Sequence, residues 1–403
     1  DARCSPFVYL SDGYTFAFKD PTGGNSYANE GNVNIDYSEQ NVKDVTVVPV
    51  PLTVDEQPTD LTFYLTSREA DKYVKFVVST IEEWQGERFR ITFEKEDGAV
   101  IKEAAATTYE KQQISFSAAS FKVSDSGSYR IKLELKGYVL YTAPFTVTVA
   151  ECEHPGCDGS TGKCTRCGCD LAAAIVKDGK TTGYVSFADA LAAAQTDANK
   201  GCTLKLLAGV SGTVDVDTGD FGIDLGGNVV GGLKVKKSAK VNVSGGRIKG
   251  GVTVAKTAQL TASNTYFAGA INCVGGGDFK DCIFAGAVSP KAGSSMKLNA
   301  CEIHGALSVS GNAEAEMCIV SGTVTVNNGG TLEIISGTFG NTLTAKEGST
   351  LIISGGSYVK AGAENNVDLT LSGGEFTNIT VNGQHLIDCL AEGKAFEDMV
   401  HGG

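Results

Sequence analysis

The feature that most constrains this chain is a repeat. Leu233-Lys-Val235, Val252-Thr-Val254, Ile271-Asn-Cys273, Val288-Ser-Pro290, Leu307-Ser-Val309, Val324-Thr-Val326 and Leu343-Thr-Ala345 share an apolar–polar–apolar pattern or nearly so, and their starts step by 19, 19, 17, 19, 17 and 19 residues. A second apolar position keeps the same register: Ile248, Phe267, Phe284, Ile303, Val320, Phe339, Tyr358 and Phe376. A unit this short cannot bury an apolar face alone. Stacked units can, if each makes one coil of a parallel β-helix and pairs its edges with the next. The crossover rule predicts a right-handed coil. We therefore expect an all-β protein whose residues 176–403 form a capped, single-stranded, right-handed parallel β-helix of roughly eight to nine coils.

Glycine agrees with the repeat. Only eight of the 50 glycines precede residue 151. They follow no three-residue period and accompany just 8 prolines, which excludes collagen and Pro-rich disorder. The later glycines are expected at coil corners, where a positive φ is cheap only without a Cβ. Cys282, Cys301 and Cys318 each stand two residues before an apolar anchor. They should stack inward as small buried hydrophobes. Ser186-Phe-Ala-Asp189 starts a short capping helix, with Phe187, Ala190, Leu191 and Ala194 at helical spacing. Leu386, Leu390, Phe396, Met399 and Val400 supply an apolar closing segment.

Residues 45–150 read differently. Short alternating runs recur about every ten residues, at 45–50, 61–65, 73–78, 88–93, 113–116, 129–135 and 143–149. That spacing predicts an antiparallel β-sandwich. Asp125-Ser-Gly127-Ser-Tyr129-Arg-Ile131 resembles the immunoglobulin-superfamily corner, in which a Tyr hydroxyl ties the turn back to the backbone. Ile131 stands where that family has Cys, so the inter-sheet disulfide is missing. We expect an Ig-like β-sandwich without it. Residues 1–44 look β-rich, interrupted by residues 20–24, and either complete the sandwich or belong to a partial preceding module. Trp84 reads as a loop or strand-edge residue, with a sugar-stacking platform as the alternative.

Between the two architectures, residues 151–175 carry Cys152-Glu-His154-Pro-Gly-Cys157 and Cys164-Thr-Arg-Cys167-Gly-Cys169. Cys-x-His followed by Cys-x-x-Cys is metal-ligand spacing, since Zn²⁺ takes four soft donors in a tetrahedron. We expect a structural zinc on Cys152, His154, Cys164 and Cys167, fixing the angle between rigid neighbours. Cys157 and Cys169 are left as an even pair able to form a disulfide. Disulfides throughout would leave one of five clustered cysteines over, to pair with Cys4 or Cys202.

The stretch from Cys152 through Thr203-Leu-Lys-Leu-Leu207 resembles cell-surface proteins of gut Firmicutes. The likeness includes Asp189-Ala-Leu-Ala-Ala-Ala194, Ile223-Asp-Leu-Gly-Gly227 and the Ser372-Gly-Gly-Glu-Phe376 pattern, and it covers residues 152–403. Ile223-Asp-Leu-Gly-Gly227 is also similar to the start of pectate-lyase-like β-helices. The resemblance implies surface display and binding outside the cell, and carries over no catalytic residue.

Net charge is −13. This balance, acidic in both halves, disfavours nucleic-acid and anionic-membrane partners. No apolar run reaches membrane-spanning length. The start at Asp1, without Met, reads as a processed or trimmed piece of a longer polypeptide. A β-helix enzyme would need acidic clusters in a walled groove, and the short, even coils leave little length for walls. Asp215-Val-Asp217-Thr-Gly-Asp220-Phe-Gly-Ile-Asp224 misses the EF-hand pattern and reads as a solvated turn before the first coil. His304 reads as a surface histidine. Lys234, Lys236, Lys237, Lys240, Arg247, Lys249 and Lys256 read as a solvated basic patch, or as a site for an acidic ligand. The expectation is a monomeric, non-enzymatic bacterial surface adhesin. Its partner is a host glycan or glycoprotein, an immunoglobulin included. A carbohydrate-active enzyme and a structural stalk are the alternatives.

Overall fold

The computed structural model describes residues 52–395 throughout. Before residue 52 it describes the strands Phe7–Val8, Tyr14–Lys19, Asn25–Ala28, Val33–Asn34 and Thr46–Pro49. Cys4, residues 20–24, Phe396, Met399 and Val400 lie outside the described residues. The protein is all-β, 53% strand and 7% helix. It divides into two units, Asp1–Cys152 and Glu153–Gly403.

In the first unit, two sheets share one core. The larger runs in the order Val100–Thr107, Arg88–Lys95, Gly127–Leu135, Phe145–Ala150, Leu61–Tyr64, with Tyr138–Tyr141 also on Gly127–Leu135. The smaller is Lys111–Ser117, Tyr73–Ser79, Thr53–Glu56. Phe93 of the larger sheet stacks on Phe116 of the smaller, centroids 4.6 Å apart. Phe145 meets Phe93 edge-on at 5.6 Å. Each such fully buried side chain stabilises the fold by about 1.5–3 kcal/mol. Tyr129 is fully buried, and its hydroxyl donates to the Asp125 carbonyl, the corner bond expected from the sequence. Burial, and then the nearby Asp125 charge, push its phenol pKa up.

Two expectations change here. Thr46–Pro49 pairs with Tyr14–Lys19, which also pairs with Asn25–Ala28, so the run at 45–50 belongs to a separate N-terminal sheet. The strand Val100–Thr107 escaped the sequence reading. It is a sheet edge, exposed along most of its length, so it lacks alternation, and its Lys-Glu-Ala-Ala-Ala composition favours helix.

After residues 153–170, the second unit continues with the hairpin Ala173–Lys177 and Lys180–Tyr184, and Ala173–Lys177 also pairs antiparallel with Thr203–Leu206. Helix α1, Phe187–Ala194, follows the hairpin. Ser186 caps it by accepting from the Asp189 N–H at 3.4 Å, and Ala190 and Ala194 face the core. From Thr203 onward the strands pair in parallel, making a β-solenoid of about nine turns. Three strand ladders run along it. Leu233, Val252, Ile271, Val288, Leu307, Val324 and Leu343 stand opposite one another in unbroken register, and the ladder continues through Ala361 to Ile379. The second ladder carries Val243, Ala262, Phe279, Leu298, Ala315, Ile334 and Ile353 inward. The third stacks Ile248, Phe267, Phe284, Ile303, Val320, Phe339, Tyr358 and Phe376. In-register stacking holds aromatic rings parallel: Phe267 and Phe284 lie 5.1 Å apart at 8°, Tyr358 and Phe376 4.8 Å apart at 14°.

Cys282, Cys301 and Cys318 are buried in one inward file, as expected. Each donates to the carbonyl two residues before it, at 3.3–3.4 Å, so all three share one side-chain direction. Thr265 precedes them with the same bond, to Ser263 at 2.8 Å. Leu386 and Leu390 pack against the far end of the core.

Glycine holds positive-φ corners as expected at Gly245, Gly293, Gly329, Gly348, Gly356 and Gly374, and it also plays a second part. The corner before this file has positive φ in four successive coils and holds Asn264, Asp281, Ala300 and Met317, none of them glycine. The repeated glycines Gly231, Gly250, Gly269, Gly286, Gly305 and Gly322 form a column of close approach instead. A Cβ on Gly305 would stand 2.2 Å from the Gly286 carbonyl oxygen, and on Gly322 1.9 Å from that of Gly305. Backbone here touches backbone from coil to coil, and no side chain fits.

Two outcomes follow from this packing. Gly305→Ala should lower stability by about 1–3 kcal/mol in urea unfolding, since neighbouring backbone must move. Gly251→Ala should change it by no more than about 0.5 kcal/mol. Its Cβ meets the Ala270 carbonyl at an ordinary 3.6 Å. Equal effects would remove the close-approach account. The buried thiols add a pH dependence. Burial, partly offset by the hydrogen bond to the Gly275 carbonyl, pushes Cys273 up to about 11 from an ordinary value near 9. The folded state thus favours the protonated thiol, and its contribution is complete below pH 9 and lost as pH rises toward 11. Cys273→Ala should flatten the fall of the urea midpoint over that window by on the order of 2 kcal/mol. An unchanged slope would show that Cys273 does not titrate with unfolding.

Candidate metal centre

The segment after the first unit is short in regular structure. Cys157–Asp158 and Lys163–Cys164 form a two-stranded antiparallel pair. Asp158 caps the turn between them, accepting from the Ser160 N–H at 2.9 Å and the Ser160 hydroxyl at 2.7 Å. These bonds hold its carboxyl at about 2. Gly162, at φ +66°, completes the turn. Beyond it, Gly168 donates to the Cys164 carbonyl and Cys164 donates to the Cys169 carbonyl, both at 2.9 Å. That tight loop turns the Cys164 and Cys167 side chains to one side.

Cys152, His154, Cys164 and Cys167 converge, one donor atom each, with all four atoms within 4.8 Å of one another. Cys167 Sγ lies 3.5 Å from His154 Nδ1. The Arg166 backbone N–H donates to Cys164 Sγ at 3.4 Å. His154 is held in the left-handed region at φ +48°, and its carbonyl accepts from Gly183 at 2.8 Å. Cys164, Cys167 and His154 are buried and Cys152 is half-buried. Three thiols and an imidazole at this spacing fit a tetrahedral metal ion. Four protein donors leave no coordination position for water or substrate.

The other residues singled out in the sequence are placed as follows. Cys157 and Cys169 do not form the expected disulfide. Cys157 stands opposite Cys164 in the strand pair, with a free thiol 3.5 Å from the Asp158 carbonyl. Cys169 turns toward the ligands, 3.3 Å from Cys167 Sγ. Cys202 is buried in the solenoid core. The basic residues do not gather into one patch. Lys234 lies on the first ladder, Lys240 on the second and Arg247 on the third, because one coil carries them right round the solenoid. Lys236 binds Asp215 at 2.9 Å and Asp217 at 3.4 Å, and Arg247 stacks 4.8 Å over Tyr266. Lys237 and Lys249 flank these positions. Asp215, Asp220 and Asp224 lie on two strands of the solenoid, Val210–Val216 and Asp220–Asp224, and Asp217 lies in the turn between them. His304 is half-exposed, with Nδ1 3.1 Å from Ser321 Oγ and Nε2 3.6 Å from Glu302. Trp84 is half-buried in the short helical turn Glu82–Trp84, with Lys136 over its ring at 5.2 Å.

One surface escaped the sequence reading. The outward positions of the third ladder hold Tyr266, Ile283, Glu302 and Ile319 in turn, Tyr266 and Ile283 half-buried, with Met317 beside Ile319. Met317 is 56% exposed and Ile319 55%. The signal is present in the sequence as paired apolar residues, Tyr266-Phe267, Ile283-Phe284 and Ile319-Val320. In a strand, neighbours point to opposite faces, so one member of each pair must be exposed.

Among the described residues no helix is long and apolar enough to cross a membrane. Compared with known proteins, the chain matches no family model and no curated protein.

Proposed function

We propose that this chain is a non-catalytic binding protein, an adhesin displayed outside a bacterial cell, and that the third solenoid face engages a host glycoprotein. The exposed apolar pair Met317 and Ile319, with half-buried Ile283 and Tyr266 further along the same face, carries the reading. Soluble surfaces seldom hold aligned large apolar side chains without an interaction partner. Tyr266, Ile283 and Ile319 sit on a rigid ladder that fixes their spacing in advance, with Glu302 between the last two and Met317 at the adjoining corner. Aliphatic side chains favour a protein surface, an immunoglobulin among the candidates, over a bare glycan. The resemblance of residues 152–403 to surface proteins of gut Firmicutes supports the same assignment. In the first unit, the Tyr129 corner bond and the two sheets around Phe93 support an Ig-like sandwich.

The metal, in this reading, is a structural zinc. The donor set suits it, and a closed four-ligand shell stabilises a fold rather than activating water. Elemental analysis of the purified chain should give about one zinc per molecule. Cys164→Ala should abolish it and lower the melting temperature of this segment. Metal-free protein with the same melting behaviour would end the zinc reading.

Binding is tested on arrays of host extracellular proteins and glycans. Wild type should retain a glycoprotein, and Met317→Glu with Ile319→Glu should weaken it at least about tenfold. Undiminished binding would move the site elsewhere. A blank array favours a structural stalk, which the even coils also suit. New reducing or unsaturated ends on an acidic polysaccharide would instead make the chain an enzyme.

A further inference from the structure

The metal centre holds more donors than a tetrahedron can use. Cys169 Sγ lies 3.3 Å from Cys167 Sγ and 3.7 Å from His154 Nδ1. With metal–sulfur bonds of about 2.3 Å, ligand atoms of a tetrahedral centre stand about 3.7 Å apart. Cys169 is thus at ligand spacing from two members of the set. The backbone puts it there. Gly168, at φ +70°, reverses the chain straight after Cys167, and the Cys169 carbonyl is anchored by the Cys164 N–H. Cys169 is also half-buried against this cluster.

We propose that Cys169 is an exchangeable fifth ligand, giving one centre two donor sets. The first is Cys152, His154, Cys164 and Cys167. The second replaces His154 with Cys169 and is all sulfur. The inference rests on the metal reading above. In the exchange, the Cys169 thiol gives its proton to solvent and its thiolate takes the position that His154 Nδ1 leaves with its lone pair. No electrons are transferred. Borderline zinc accepts imidazole, whereas a softer divalent cation of the cadmium class gains from a fourth thiolate. The centre's net charge falls by one.

The test loads the full chain with Zn(II) or Cd(II) and reads stoichiometry, affinity and sulfur-to-metal absorption. Cys169→Ser leaves the four ligands of the first set in place. It should weaken Cd(II) about tenfold, lower the absorption per Cd(II) by about a quarter, and leave Zn(II) binding unchanged. His154→Ala should still take up one Cd(II), and His154→Ala with Cys169→Ser should not. Thermal melting of each variant separates lost ligation from lost folding. Wild-type absorption and affinity in Cys169→Ser would overturn the fifth-ligand proposal while leaving the metal reading intact. A wild-type chain that takes up neither ion would overturn both.

Discussion

Coil-to-coil hydrogen bonding in parallel register is the interaction on which the solenoid depends. Parallel strands stand about 4.8 Å apart, so each residue of one coil lies over its counterpart in the next. Everything inside follows from that overlay. An apolar residue at one position demands an apolar residue 17 or 19 positions on. Phenyl rings stack nearly parallel because their Cα atoms are held one strand spacing apart. Each such aromatic pair adds about 0.5–1.5 kcal/mol beyond its burial. The glycine column obeys the same rule from the other side. Where the turn brings carbonyls of successive coils within reach of a Cβ, only hydrogen can occupy the position.

The metal centre solves a different problem. Residues 152–169 have too few apolar side chains to make a core, and their strands are two residues long. The turns of this segment are held by local hydrogen bonds, and its four-residue Cys/His cluster has the spacing to hold a metal ion. The donor spacing is built by local turns at Gly162 and Gly168, and the buried thiols sit among backbone amides. The same turns bring Cys169 to the edge of the shell.

Some of this was readable before any coordinates. The repeat alone placed Leu233 through Leu343 and Ile248 through Phe376 in the correct ladders, because a two-residue side-chain period and a fixed coil length leave one register. The Cys282–Cys301–Cys318 file followed by the same count. Cys-x-His and Cys-x-x-Cys named the four donors because ligand spacing in a tight turn is a local property. The strand Val100–Thr107 was not readable, since an exposed edge carries no alternation. Nor was the fate of Thr46–Pro49, whose partner Tyr14–Lys19 is remote in sequence.

What the sequence by itself determined is periodic and local: coil length, inward positions, the cap at Ser186 and the four metal donors. These depend on spacings along one chain, and a spacing is visible in letters. The tertiary structure alone decided what meets across coils and turns. It scattered the lysines of residues 234–249 around the solenoid, placed Met317 and Ile319 together on an open face, turned Cys169 toward His154 instead of Cys157, and gave one column of turn glycines a backbone contact between coils. Each of these is set by the path of the chain through space, and residues distant along that path leave no mark on one another's neighbours in sequence.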